Sequence, residues 1–165
     1  MKTFEENLKS LPTAKKTVLL RLYNERDELI SIIPNIPGRQ GSVRVFRHIA
    51  DKKGVIDFEA AKEGLRIFEE KVEEALNNPG KHKKLELLLG MKSRKILRIE
   101  NVECSCSDLL ENLSGQVASA EECNVFIDLL NQGKIRAAEK VNDNWEPQPY
   151  VIDGVLNYFG THNSE

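Results

Sequence analysis

Two β-prone runs, "TVLLRLY" (residues 17–23) and "ELISIIP" (residues 28–34), lie on either side of the polar turn "NERD". Apolar and β-branched residues bounded by turn formers at this spacing predict an antiparallel hairpin. Pro34 and Pro37 stop the second strand, because proline has no N–H to give to a ladder. A lone hairpin is not stable in water, so the rest of the chain must supply a third strand and a cover. "RKILRIENVE" (residues 94–103) reads as that strand. The helical patterns supply the cover. Phe4, Leu8 and Leu11 share one side of a short N-terminal helix. Ser42 is the predicted cap of a second helix that turns Val43, Phe46, Ile49 and Ala50 inward. Asp57 caps a long third helix running to about Leu76, with Phe58, Ala61, Leu65, Phe68, Val72 and Ala75 at three- and four-residue steps. "NNPG" ends it, and "KKLELLLGM" forms one more short helix. The fold class is α+β: about three antiparallel strands covered on one side by helices.

Beyond Val102 the texture changes. "SDLLENL" and "SAEECNVFIDLLNQG" are helical, with Gly133 as the stop; "KIRAAEKVNDNWEPQP" forms a short hairpin or an extended excursion around "NDN"; "YVIDGVLNYF" is a last amphipathic helix. Charge changes at the same place. Residues 1–102 hold 21 Lys/Arg against 15 Asp/Glu, whereas residues 103–165 hold 3 against 11. Two domains are expected: a basic α+β unit over residues 1–102 and an acidic helical module over residues 103–165.

Several function classes lose support. The apolar runs are too short to span a bilayer, and "MKTFEENLKS" lacks the apolar centre of a secretory signal. With three cysteines, Cys104, Cys106 and Cys123, a cytoplasmic location is expected, without a disulfide framework. Their spacing and the three scattered histidines give no metal site and no thiol nucleophile. The basic excess is modest and no recognition motif is present, which argues against nucleic acid. No cofactor is expected.

Two Pro-Gly segments carry the clearest candidate chemistry. "PGRQGS" (residues 37–42) leads into a helix. It either offers backbone N–H groups and Arg39 to an anion or is only a structural turn. "NPGKHKK" (residues 78–84) places Lys81, His82, Lys83 and Lys84 at a helix start, where cations oppose the helix dipole. Glu70, Glu73 and Glu74 of the preceding helix, or an anionic ligand, would offset them. The residues of the anion site are Arg39, Ser42, Arg44, Lys81 and His82, with Arg39 and Lys81 supplying charge and Ser42 with nearby amides supplying hydrogen bonds. The alternative is a small enzyme acting on an anionic metabolite, with His48 or His82 as acid/base. Trp145 is the only tryptophan and is expected to pack the C-terminal hairpin onto the last helix.

The stretch "FIDLLNQGKIRAAEKVNDNWEPQPYVIDGVLNYF" resembles the N-terminal helical domain of tetrahydrodipicolinate N-succinyltransferase, through Leu129, Leu130, Gly133, Arg136, Ala138, Glu139, Lys140 and Trp145. The resemblance spans residues 107–160 and departs at Ile152 and Asp153, where that family has a pair of lysines. The family's catalytic left-handed β-helix has no counterpart in these 165 residues, so no catalytic residue carries over. What the resemblance implies is a module that docks on a protein, either an enzyme of the diaminopimelate–lysine branch or its own copies, with Arg136, Lys140 and Trp145 as interaction residues. Residues 1–92 resemble a small bacterial family of unknown function, through "IPNIPGRQGSVRVF", "IDFEAAKEGLRIF" and "NPGKH". The functional expectation is a non-catalytic binding or accessory protein that holds a small anionic metabolite and a protein partner, or associates with itself.

Overall fold

A computed structural model describes the backbone of residues 1–162 and the side-chain surroundings of residues 1–160. Strands β1 (Thr17–Tyr23), β2 (Leu29–Pro34), β3 (Val55–Ile56) and β4 (Leu97–Glu103) form one antiparallel sheet in the order β2-β1-β4-β3. The expected hairpin sets Leu20 opposite Ile33 and Leu22 opposite Ser31. Asn24 closes its turn by accepting the N–H groups of Arg26 and Glu28. The third strand, β4, lies on the other side of β1, with Ile99 opposite Leu22. The fourth, β3, was not expected: two residues are too few to show a period. Gly54 aligns it. Its carbonyl accepts the Ile99 N–H at 2.7 Å, and a Cβ there would sit 2.8 Å from the Ile99 carbonyl oxygen.

One face, here the front, is covered by α1 (Phe4–Lys9), α2 (Gln40–Ile49), α3 (Phe58–Phe68), α4 (Glu70–Asn77) and α5 (Lys83–Leu89). Thr3 and Glu6 cap α1 reciprocally. Leu20, Leu22 and Ile33 meet Val43, Phe46 and Ile49 in a core that also takes in Phe68, Leu85 and Leu88. Burying each large side chain of this kind contributes about 1.5–3 kcal/mol.

The single long helix expected from Asp57 to Leu76 is two helices. Asp57 caps the first through the Ala60 N–H, as expected, but Glu69 adopts φ 45° and ends it. Phe68 and Glu70, on either side of the break, both hold the start of α1: the Phe68 ring stacks on Phe4 at 5.0 Å, and the Glu70 carboxylate accepts the Phe4 N–H at 2.9 Å. Phe68, Val72 and Ala75 keep helical spacing across the break, so periodicity cannot reveal it.

The back face is covered as well, which corrects the expectation of a one-sided cover. Residues after β4 form α6 (Leu109–Ser114), α7 (Ala120–Asn131), the hairpin β5 (Ala138–Val141) with β6 (Asn144–Pro147), and α8 (Pro149–His162). Gly133, at φ 70°, ends α7 as expected. Val18, Leu19, Ile32 and Val102 of the sheet pack against Leu110, Leu113, Phe126, Leu129 and Val151. The change of charge near residue 102 thus falls where β4 ends, and the stretches before and after it cover opposite faces of one sheet.

Arg21 points into the back-face core with only 5% of its surface exposed. Its guanidinium donates to both oxygens of buried Glu139 (2.7 and 3.2 Å), to Glu100 (2.7 Å) and to the Lys134 carbonyl (2.7 Å). Burial works against this charge, but the two carboxylates outweigh it and raise the Arg21 pKa. The Tyr150 hydroxyl is buried and makes no hydrogen bond. Burial, with the charge of Glu139, pushes its pKa up.

Candidate functional site

Both Pro-Gly segments build the same local device. The Ile36 carbonyl accepts the Arg39 N–H at 3.0 Å across Pro37 and Gly38, and Gly38 has φ +86°. The Asn78 carbonyl accepts the Lys81 N–H at 3.1 Å across Pro79 and Gly80, and Gly80 has φ +90°. Proline then glycine at these positions, with positive φ at the second, is the signature of a type II turn. Each turn delivers the chain to a helix.

At the first turn, α2 starts at Gln40 with Arg39 in the capping position, and no side chain caps it. Ser42 is therefore not the cap; it lies within the first helical turn. The N-terminal turn of α2 already has a carboxylate beside it: the Gln40 amide donates to Glu111 of α6 at 3.0 Å. Negative charge there suits the helix dipole. Gly41 lets α1 lie close, since a Cβ would be 3.1 Å from both Leu8 and Phe4. Arg44 reaches back to the end of α1 and donates to the carbonyls of Leu8 (2.6 Å), Leu11 (2.8 Å) and Pro12 (3.2 Å). The Leu8 carbonyl also accepts the Leu11 N–H, and Leu11 and Pro12 follow the helix, so Arg44 ties α2 to the end of α1 and to the segment after it.

At the second turn the cations also find partners inside the chain. Lys81 Nζ lies 2.6 Å from Glu74 Oε1, and His82 Nε2 lies 3.3 Å from the same oxygen without a hydrogen-bonding angle. Lys81, then His82, hold the Glu74 carboxyl down to about 2. The Gly80 N–H donates to Glu86. Of the three acids expected to offset the basic run, Glu74 does so; Glu70 is turned to α1. Lys84, absent from the expected site, is half-buried; burial and then Arg39 lower its pKa, and Glu146 of β6 pulls the other way.

The two histidines proposed as acid/base stand in different surroundings. His48 is exposed at the far end of α2, nine residues and about 14 Å of helix from Arg39. It borders an open depression of about 300 Å³ with Asn7, Ser10, Glu63 and Arg66. Those groups satisfy one another: Asn7 donates to the Ile67 carbonyl, Ser10 to the Asn7 carbonyl, and Arg66 pairs with Glu63 at 3.0 Å. His82 is half-buried against Glu74. No group of three His, Cys, Asp or Glu able to hold a metal occurs among the described residues. No helix among them is long and apolar enough to cross a membrane.

The C-terminal surface differs from these self-paired sites. Arg136 and Lys140 are exposed, and Lys140 stands opposite Trp145 in the hairpin. Trp145 does not pack the hairpin onto α8; it is 71% exposed. On α8, Tyr150, Val151, Gly154 and Asn157 face inward, and Gly154 sits against the Phe126 ring, where a Cβ would come within 2.2 Å. Ile152, Leu156 and Phe159 face outward, exposed by 60%, 61% and 52%. Sequence reasoning placed this helix but not its outward apolar face. The signal was present: from Pro149 to Gly160 the only charged residue is Asp153, in a chain with 30% charged residues.

Residues 4–101 match the family described as "Uncharacterized protein conserved in bacteria (DUF2322)". The matched region holds the sheet, the five front-face helices and both Pro-Gly turns. Residues 107–160, which carry the resemblance to the succinyltransferase, lie outside it, and the comparisons lend that resemblance no support. No curated protein and no solved structure matches the chain.

Proposed function

The chain belongs to this family of proteins conserved in bacteria, and we propose that it acts as a non-catalytic accessory protein that docks on protein through its C-terminal surface. One observation carries the reading: Ile152, Leu156 and Phe159 recur at four- and three-residue steps on the outer side of α8, each more than half exposed. Such a stripe faces a core or a partner, and α8 already has a different face, bearing Val151 and Gly154, on the core. Exposed Trp145 adds a residue type enriched among binding anchors. The basic segments give a small anion less to bind, because Arg44 and Lys81 are engaged by groups of the same chain.

The test is capture on immobilised protein from a bacterial extract, followed by titration of each captured protein in pure form. A tetrahydrodipicolinate succinyltransferase, suggested by the resemblance alone, is titrated first. We expect at least one protein, another copy of the chain included, to bind the native form and to bind Ile152→Asp/Leu156→Asp at least tenfold more weakly. If nothing distinguishes the two forms, the reading falls.

A further inference from the structure

We infer that Cys104 and Cys106 form a redox-modification site, a dithiol that closes to a disulfide by exchange with a small-molecule disulfide and reopens with the matching thiol. The C-x-C spacing alone does not bring two sulfurs together. In an extended strand, residues two apart share a face but stand about 6.5–7 Å from each other. A disulfide needs Cβ atoms about 3.5–4.5 Å apart. Here the strand stops short of the pair: β4 ends at Glu103, and the chain bends at Ser105 and Cys106. Both cysteines stay on the inner side, half-buried against the back-face core, while Ser105 between them is exposed. The bend brings the Cys104 sulfur onto residue 106. Cys104 Sγ donates to the Cys106 carbonyl at 3.3 Å, and it also meets the Cys106 N–H and the Cys106 thiol.

The bend is held from outside the segment. The Cys104 N–H donates to the Lys16 carbonyl at 3.0 Å, and the Asp108 N–H donates to the Lys15 carbonyl at 2.8 Å. Residues 104–108 are thus tied at both ends to the stretch that leads into β1. Cys123 takes no part: it is fully buried and donates to the Asn157 side chain at 3.3 Å.

Burial pushes the Cys104 thiol up, with the Cys106 N–H working against it. A thiol held protonated is the slower attacker, so the first attack falls to Cys106. Cys106 gives up its proton, its thiolate attacks one sulfur of the small disulfide, and the first small thiolate leaves. Cys104 then gives up its proton and attacks Cys106 Sγ of the mixed disulfide, and the second small thiolate leaves. The two leaving thiolates take up the two protons. The protein has lost two electrons and two protons, and the small disulfide has gained them. A bridge between residues two apart is tight, and strained disulfides are the readily reduced ones. An excess of the small thiol should therefore reopen it.

Mass spectrometry of the native full chain tests it, after incubation with about 5 mM oxidised glutathione near pH 8. The expected product is lighter by two hydrogens. Cleavage after Glu103 and Glu111 should release residues 104–111 with the bridge inside, and Cys123 should remain a free thiol. About 10 mM reduced glutathione should restore the starting mass. Cys104→Ser should instead hold one glutathione on Cys106 and form no bridge. A trivalent arsenical, which grips two neighbouring thiols at once, reads the same proximity without oxidation: the native chain should bind one equivalent, and either Cys104→Ser or Cys106→Ser should lose it. A native chain that keeps its mass overturns the inference. So does a bridge through Cys123, or glutathione held on Cys104 and Cys106 together with no bridge between them. None of these readouts involves α8, so the docking reading stands or falls separately.

Discussion

On the front of the sheet, Leu20, Leu22 and Ile33 meet apolar side chains from five helices, and the outer surface of those helices is charged and paired with itself. On the back, Leu19, Ile32 and Val102 meet a similar apolar set, but Arg21 stands among them with Glu139, and the outermost helix shows Ile152, Leu156 and Phe159 to the outside. Of the front-face helices, only α4 shows a large apolar side chain to this degree, the single Leu76. The back is held by a buried charge pair and leaves an apolar face open. A charge pair ties the covering layer at one position, because a guanidinium meets a carboxylate bidentately only in one geometry, whereas apolar packing tolerates small shifts.

The largest effect should come from that pair. Arg21→Ala leaves Glu139 buried without its cation, and loss of one partner of a buried pair costs about 3–5 kcal/mol. Replacing both partners by apolar groups, in Arg21→Met/Glu139→Leu, should recover most of it, to within about 1–2 kcal/mol of the native chain. Urea unfolding measures both. A loss below about 1 kcal/mol for Arg21→Ala would erase the contrast between the faces.

That contrast was only partly legible in the sequence. The hairpin, its third strand, the Asp57 cap and the Gly133 stop could all be read, because each rests on local backbone chemistry. "TVLLRLY" also held a clue: six consecutive residues from Thr17 to Leu22 are buried, and a run without alternation is what a strand covered on both faces shows. Arg21 in that run could not be assigned, since Glu139 is 118 residues away. The surroundings of the candidate anion site were illegible for a related reason. Its residue types suited an anion, but their partners, Glu74, Glu111 and the α1 carbonyls, are set by tertiary packing. Nor does periodicity say which side of a helix is buried when both sides are apolar, as in α8.

Two glycines sharpen the comparison at the next level of effect. Gly154, on the back, faces the fully buried Phe126 ring, and an added Cβ would lie 2.2–2.6 Å from three ring atoms. A rigid ring with no free space must move as a whole, so Gly154→Ala is expected to cost about 1–3 kcal/mol. Gly64, on the front, meets the ends of Ile49 and Leu88 at 2.9 and 3.0 Å. Those side chains can rotate, and alanine in a helix recovers about 1 kcal/mol of propensity. Gly64→Ala should therefore change stability by less than about 1 kcal/mol. Equal losses in thermal melts would mean that the two layers are packed with the same rigidity.

The smallest effect belongs to the front surface and is read by acid. Lys81 and His82 hold the folded Glu74 carboxyl at about 2, whereas an unfolded glutamate titrates near 4.3. A carboxyl with a lowered folded pKa adds stability above its unfolded pKa and loses it as the pH falls through the folded one. The contribution is therefore complete above about pH 5 and disappears between there and about pH 2. Glu74→Gln cannot titrate, so its melting temperature should fall less steeply than that of the native chain in this window, with the curves parallel above it. Parallel curves throughout would show that solvent screens the Glu74 cluster fully. The NPGKH turn would then be held by its backbone and Glu86, and its cations would be free for an outside anion after all.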